Sequence, residues 1–409
     1  MNLSLRLGWR NLWRHPRRTW LTTGAMIFSN VLLVFMISLQ LGMYQLMIDN
    51  SLRIFTGHLQ VQAPGYNDTP HMSKTVPDIK QLAAKLREVS GNGNVAARAS
   101  GFALFSSAER SYGAMVIGVE AEYEPGVSSL PGLIKQGRYL NNSKGAEVVL
   151  GAALARNLKV SLHDELTLMG SGKDGSFAAD VVNVVGIFET GVPDIDRNFV
   201  QMPLDRFQEV FSMENEGHTI VALAEDFSQI AQLQQRLQKP LSDTEKLVLL
   251  DWDALSPGLQ QAIDADMASA WFMYGILILL VAFSVLNTQL MSVLERTHEF
   301  GIIMALGLKP GRLGRMVLME STIMAGMGFV IGTALGSLVA LYFHTYGLSL
   351  PGMEDAMARY NLPGRMYPST SMVSLCLGPA VVFIACILAS AYPALRLYRL
   401  HPIDAMRSA

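Results

Sequence analysis

Four long stretches of the chain carry no Asp, Glu, Lys or Arg: residues 21–48, 268–291, 321–343 and 371–395. Each exceeds the roughly 20 residues a helix needs to cross a bilayer, so four membrane-spanning helices are expected. Between the first two lie residues 49–267, where unbroken apolar runs give way to short alternating and helical patterns. Alternation over 57–62 (GHLQVQ) predicts a strand, as do the runs at 114–119, 147–150, 165–169 and 180–188. Ile79, Leu82, Ala83 and Leu86 recur at helical spacing and predict a helix over 78–88. Residues 151–158, 226–238 and the lead-in at 254–267 read as helical too. The fold class expected is an α-helical membrane protein with four transmembrane helices. A large mixed α/β domain in two lobes lies between helices 1 and 2.

Composition agrees. Half of the 409 residues are apolar, 16% are charged and the mean hydropathy is +0.27. A soluble domain carries about a quarter charged residues, so a cytosolic enzyme, a secreted disulfide scaffold and a disordered chain are excluded. Cys376 and Cys386 share the fourth apolar segment, ten residues apart on one helix, and cannot bridge to each other. They read as small buried apolar side chains.

Arg6, Arg10, Arg14 and Arg17 fall on one side of an N-terminal helix, and Leu5, Trp9, Leu12 and Trp13 on the other. Such a basic amphipathic helix suits a lipid interface, with Arg6, Trp9, Arg10, Trp13 and Arg14 as its membrane-interface residues. Pro16 ends it before the first span. The apolar run that follows is too long for a cleaved signal peptide, so a retained anchor is expected. Lys and Arg concentrate before span one, between spans two and three, and in the tail, which places both termini in the cytoplasm. Residues 49–267 carry 18 Lys and Arg against 28 Asp and Glu, an acidic balance that disfavours a nucleic-acid partner.

Two motifs imitate chemistry. GSGKDGS at 170–176 has Thr167 and Asp174 where a phosphate loop needs Gly and Ser or Thr, and reads as a hairpin loop. His298 and Glu299 begin a zinc-protease pattern, but Ile302 replaces the second ligand. No metal-ligand spacing, nucleophile elbow or nucleotide-binding signature is found, so no catalytic residue, metal or cofactor is expected in this chain.

The spans carry structural signals. Gly328, Gly332 and Gly336 step by four, a spacing that lets helix backbones approach, either within the chain or at a subunit interface. Asn30, Gln40 and Asn287 are polar groups inside spans, which need hydrogen-bond partners or a wet substrate cavity. Residues 292–321 join spans two and three. Glu295, Arg296, His298 and Glu299 extend span two, and Gly307, Pro310 and Gly311 force a turn. A short amphipathic stretch from Arg312 to Met319 then leads into span three. A charged elbow of this kind suits contact with a cytoplasmic partner.

This segment resembles the signature of FtsX-type permeases of ABC transporters: Glu-Arg-x-x-Glu, a hydrophobic residue and Gly, then Ala-x-Gly, and later Glu-Ser. Glu295, Arg296, Glu299, Gly301, Ala305, Gly307, Glu320 and Ser321 match it. The tail YPALRLYRLHPIDAMRS matches through Pro393, Ala394, Pro402, Ala405 and Arg407, and WRNLWRHPRRTWLT resembles the family's interfacial helix. Within the family the outer domain is most similar to the lipoprotein-release permeases, the LolC and LolE group. VVLGAALARNLKVSLHDELTL resembles one of their segments, with His163-Asp164 where they usually have Gly-Asp. VVGIFETGVPDIDRNFVQMPL resembles another through Gly186, Phe188, Gly191 and Asp196.

The resemblance implies a layout. An interfacial helix (1–19) precedes transmembrane helix 1 (20–48), the periplasmic α/β domain (49–267) and helix 2 (268–291). A cytoplasmic coupling segment (292–318), helix 3 (319–343), a periplasmic loop (344–370), helix 4 (371–395) and a cytoplasmic tail (396–409) follow. It implies a bacterial inner-membrane subunit with no cofactor of its own, driven by a separate ABC ATPase dimer that holds ATP and Mg. A second permease copy or homologue and a periplasmic carrier or adaptor are implied partners. Glu295, Arg296, Glu299, Gly301, Ala305, Gly307, Arg312 and Arg315 become the ATPase-coupling residues, and Asn30, Gln40 and Asn287 candidate lining of a substrate cavity. The function implied is extraction of lipoprotein or lipid toward the outer membrane. Tripartite efflux of drugs or peptides, as in MacB-like permeases, and signalling to a cell-wall hydrolase without transport are the alternatives.

Overall fold

The structure, a computed structural model, describes residues 10, 12–14, 16–91, 93–141, 145–241, 247–349, 352 and 365–397. Among the described residues two compact units emerge, one of residues up to 44 with 262–349 and 365–397, the other of residues between 45 and 261. The helices used below are α1 (Pro16–Ser51), α2 (Ile79–Ser90), α3 (Ala152–Leu158), α4 (Leu204–Val210), α5 (Ile230–Leu241), α6 (Pro257–Glu295), α7 (Thr297–Ala305), α8 (Pro310–Tyr346) and α9 (Met372–Arg396).

Four of these, α1, α6, α8 and α9, are long and apolar enough to cross a membrane. Proline opens three of them at the first helical position, where its missing N–H costs nothing. Met26, Leu33 and Ile37 of α1 pack with Tyr274, Val281 and Val285 of α6, Ala325 of α8, and Val382 and Cys386 of α9. Cys376, expected to be buried, stands exposed on the unit's surface. After Ser51 the helix widens into a π-turn, Leu52–Thr56, and stops at Gly57, where φ is +74°. A Cβ there would lie 2.2 Å from Val221 Cγ1, so both the backbone and the space require glycine.

The second unit is built on ten strands: β1 (Leu59–Gln62), β2 (Val95–Ser106), β3 (Ser111–Val119), β4 (Ile134–Gly137), β5 (Glu147–Gly151), β6 (Glu165–Ser171), β7 (Phe177–Phe188), β8 (Phe199–Pro203), β9 (Thr219–Ala222) and β10 (Val248–Asp251). The two expected lobes take the form of two arrangements sharing the long β2. Its first half pairs with β9, and β9, β1 and β10 extend an antiparallel layer. Its second half pairs with β6, and the pairing runs round through β3, β8, β5, β7 and β6 back to β2, a closed ring. Helices α2 and α5 pack together beside this layer. Ile79, Ala83 and Leu86 bury one face of α2, and Ile230, Leu233, Leu237 and Leu241 one face of α5, each at helical spacing.

Inside the ring lie Phe105, Val116, Leu166, Leu168 and Val182, while Phe102, Leu104, Met115, Phe177 and Val181 remain exposed. GSGKDGS forms the turn of the β6–β7 hairpin, as expected: Asp174 Oδ1 accepts from Ser176 N at 2.9 Å and Lys173 pairs with Glu216. His163 takes a left-handed φ of +71°, the conformation in which glycine is unstrained. It is the position where the segment's resemblance leads one to expect Gly.

A charged pair is sealed into this unit. Arg98 on β2 is 2% exposed and Glu124 fully buried; they meet at 2.6 and 3.1 Å through two guanidinium nitrogens. Arg98 also donates to Phe55 O and lies over the Phe55 ring, while Gln201 reaches Glu124 at 3.5 Å and accepts from Tyr139 OH at 2.7 Å. Burial pushes the Glu124 carboxyl up against the pull of Arg98.

Candidate functional site

The segment between α6 and α8 is bent by its sequence at two points. At Arg296 the backbone leaves the helix (φ −101°, ψ 10°), so α6 ends at Glu295 and α7 is a separate short helix. The expected smooth extension of span two through Glu299 is therefore corrected to a break. Backbone bonds from Gly307 N to Met304 O (2.9 Å) and Leu308 N to Ile303 O (3.3 Å) close α7, with Gly307 at φ +95°. Pro310 then starts α8 directly, so the stretch from Arg312 to Met319 belongs to one continuous helix that runs to Tyr346. Phe300 and Met304 of α7 bury against Val293, Leu313, Val317, Ala394 and Leu397, which ties the elbow to the ends of α6, α8 and α9.

Around this apolar seat runs a chain of ion pairs. Glu295 accepts from Arg18 Nη1 at 2.9 Å, and Arg18 Nη2 also donates to Thr288 O at 3.0 Å. Arg296 reaches Glu320 of α8 at 3.5 Å and Glu299 at 3.5 Å, and its guanidinium lies 4.9 Å from the Phe300 ring centre. Arg14 stands 3.7 Å from Glu299. The elbow is thus strapped to the base of α1 and to α8. Gly301 is buried within α7, whereas Ala305, Gly307, Arg312 and Arg315 are exposed. Ile302 and Leu306 are 45% and 84% exposed beside them, so the outward face combines apolar and basic groups.

Sequence reasoning missed Arg18 and Ile302, and it placed Glu320 only as a motif match. Arg18, Glu295 and Glu320 each lie within four residues of an uncharged span, and charges at such places need partners. Their closeness to the span ends was the available signal.

Gly328, Gly332 and Gly336 face α1. A Cβ on them would lie 2.8 Å from Met26 Cβ, 2.6 Å from Asn30 Cβ and 2.8 Å from Val34 Cβ. The stripe is consumed by packing within the chain. Asn30 is 1% exposed and donates to Gly328 O at 3.0 Å, so it is corrected from a cavity residue to an interhelical bond. Gln40 sits elsewhere, accepting from Tyr274 OH at 2.6 Å and donating to Tyr44 OH at 2.6 Å, with Asp266 accepting from Tyr44 at 2.5 Å. Asn287 is exposed on α6. The three polar candidates do not gather into one site. Of the interface residues, Arg10, Trp13 and Arg14 are exposed, and Trp13 and Arg14 form a turn ahead of Pro16; Arg6 and Trp9 lie outside the described residues.

Comparison with known proteins places this architecture. Residues 19–239 match the family model for the MacB-like periplasmic core domain, and residues 271–402 the one for the FtsX-like permease C-terminal region. The chain is 25% identical over 320 residues to the lipoprotein-releasing system transmembrane protein LolC of Xylella fastidiosa, covering 73% of this chain and 74% of that one. It is 25% identical over 305 residues to LolE of Haemophilus influenzae, covering 72% of each. Over 122 residues it is 32% identical to the macrolide export ATP-binding/permease protein MacB of Neisseria meningitidis, covering 30% of this chain and 16% of that protein. Four apolar spans, an inserted mixed α/β unit and these matches together make the protein an ABC transporter permease of the inner membrane, and the chain belongs to the FtsX-like permeases that carry a MacB-like periplasmic core domain.

Proposed function

We propose that this permease transmits the closure of a separate ATPase dimer to its periplasmic domain and thereby extracts lipoprotein or lipid from the inner membrane toward the outer membrane. The observation that carries the mechanical part is the strapped elbow. Its outward face offers Ile302 and Leu306 with Arg312 and Arg315, a surface suited to an acidic-rimmed apolar groove on a partner. The ion pairs of Arg14, Arg18 and Arg296 with Glu295, Glu299 and Glu320 pass a push on α7 into α1 and α8. ATP and Mg reside in the partner. Both termini and the elbow face the cytoplasm in this reading, and a second permease, identical or homologous, completes the complex.

The substrate assignment leans on coverage. The LolC and LolE relatives align over nearly three quarters of the chain, the MacB relative over less than a third. A MacB-like efflux role is the second reading, favoured by the match of the periplasmic core domain. The test is co-purification in mild detergent, then reconstitution of the chain with its ATPase into vesicles bearing a fluorescent triacylated lipoprotein. ATP-dependent transfer to a soluble acceptor is expected, with loss of transfer but retained hydrolysis in Glu299→Ala. Hydrolysis stimulated by a macrolide and not by lipoprotein would favour efflux and overturn the release role.

A further inference from the structure

A small polar notch opens between α1, α6 and α8, bordered by the ion pairs of the elbow. Its lining includes Arg18 and Thr22 of α1, Thr288 and Gln289 of α6, Glu320 of α8, and Arg296. Arg18 and Glu320 flank uncharged spans that begin at 21 and 321, and Gln289 lies two residues inside the end of the span at 291. The notch therefore sits at the level of lipid headgroups.

Hydrogen-bond accounting sets the chemistry it accepts. Thr22 spends its hydroxyl proton on Arg18 O at 3.0 Å and Thr288 on Ser284 O at 2.8 Å, so both present lone pairs. Gln289 is 2% exposed, and its Oε1 accepts from no group among the described residues. A buried acceptor without a donor costs on the order of 1–3 kcal/mol. Glu320 adds a carboxylate with an 8% exposed side chain. Arg296, which also lines the notch, is paired with Glu320 and Glu299 at 3.5 Å each, and the uncharged acceptors beside that pair, Thr22, Thr288 and Gln289 Oε1, suit an ammonium. At the rim Arg18, with a side chain 29% exposed, has guanidinium protons beyond the two it gives to Glu295 and Thr288 O. These suit a phosphate.

Donor chemistry narrows the ligand further: a primary ammonium has N–H groups to give these acceptors, and a trimethylammonium has none.

We propose that this notch binds the headgroup of a phosphoethanolamine lipid, its primary ammonium against Gln289 Oε1, Thr22 and Glu320 and its phosphate at the rim beside Arg18. The site is independent of the transported substrate. It anchors α1, α6 and α8 to one another through a lipid at the end of the bundle where the elbow begins.

The test is native mass spectrometry of the full chain with its co-purifying subunits, delipidated and titrated with dioleoyl phosphatidylethanolamine, its N,N-dimethyl derivative, dioleoyl phosphatidylcholine and dioleoyl phosphatidylglycerol. Affinity for the ethanolamine lipid is expected to exceed that for the choline lipid by about tenfold, the worth of a charge-assisted bond. The dimethyl lipid, with one N–H, is expected to fall between them. Gln289→Leu should bring the preference within about twofold. Equal retention of ethanolamine and choline lipids, stronger retention of phosphatidylglycerol, or an unchanged preference in Gln289→Leu overturns the proposal. So does a density map showing only water in the notch. The lipid series reads out on the unaltered protein, so the outcome does not depend on the variant folding.

Discussion

Two of the chain's systems of paired charges are built in opposite ways. In the outer domain Arg98 and Glu124 are 2% and 0% exposed and meet through two nitrogens, with Phe55 O, Gln201 and an aromatic ring taking up what remains. At the elbow, Arg14, Arg18 and Arg296 meet Glu295, Glu299 and Glu320 over 2.9–3.7 Å; Arg296 and Glu320 are 14% and 8% exposed, but the side chains in the pairs of Arg14 and Arg18 are 29–64% exposed. Desolvating a buried pair is so costly that its net gain is small, yet removing one partner strands the other. An exposed pair contributes under about 1 kcal/mol and exchanges partners easily. The first arrangement holds one conformation. The second suits a place through which motion passes.

The sharpest way to break that contrast is to take one charge from each system. Arg98→Met leaves Glu124 buried without its partner and is expected to destabilise the outer domain by about 3–5 kcal/mol, read as a fall in unfolding temperature. Its pH dependence follows from the carboxyl. Burial already holds the Glu124 pKa above its ordinary value, and loss of Arg98 raises it further. A group raised on folding contributes stability that is complete below its unfolded pKa, near pH 4, and is lost as pH rises through the folded value. The defect should therefore be smallest in acid and grow as pH rises. A defect independent of pH would show that Glu124 is not the stranded group.

His218 gives the next largest effect, with the opposite sign. Its Nδ1 accepts from Ser100 N at 2.9 Å, so the proton lies on Nε2, toward Met72 O, and burial pushes the pKa down to about 4. Unfolded histidine titrates near 6.5. A depressed pKa contributes stability present above the unfolded value and lost as pH falls from about 6.5 to about 4, up to about 3 kcal/mol. His218→Asn keeps an acceptor in place of Nδ1 and should flatten this acid limb in thermal-unfolding profiles, leaving the elbow pairs untouched.

How far such contrasts can be read from sequence depends on which distances decide them. The spans were legible because hydrocarbon excludes charge, and α2 and α5 because their apolar faces repeat at helical spacing. Strand β2 was not: Arg98, Ser100 and Gly101 interrupt its apolar run, and only the structure shows that Arg98 finds Glu124. Strands β8, β9 and β10 (FVQMP, TIVA and VLLD) lack the alternation that makes the equally short β1 (LQVQ) legible. At the elbow the motif residues were visible, but the partners Arg18 and Glu320 lie 277 and 24 positions away from theirs. His163 shows the converse. A departure from a related segment marked a backbone angle that no periodicity would reveal.

Between the two charge systems in expected size stands the small-residue seam. A Cβ on Gly332 would come 2.6 Å from Asn30 Cβ and 3.2 Å from Ile27 O, atoms that cannot swing away. Gly332→Val should force α1 from α8 and cost about 1–3 kcal/mol. Cross-linking yield between cysteines introduced on the two helices provides the measurement, and an unchanged yield would show that the seam tolerates bulk.

The smallest stability effect, and the most informative one, belongs to the elbow. Arg18→Glu places a carboxylate against Glu295, and Glu295→Arg places a guanidinium against Arg18; each single change should shift unfolding by no more than about 1 kcal/mol, because the Glu295 side chain is 58% exposed. If the strap carries motion, each should nevertheless uncouple hydrolysis from transport in reconstituted vesicles. The double exchange, Arg18→Glu with Glu295→Arg, restores an ion pair at the same place in reverse. It should recover transport while stability stays level. Rescue without a change in unfolding temperature separates transmission from mere packing, since a structural defect would follow stability. Failure of the exchange to rescue would instead assign the role to the Arg18 bond with Thr288 O, which a carboxylate cannot make.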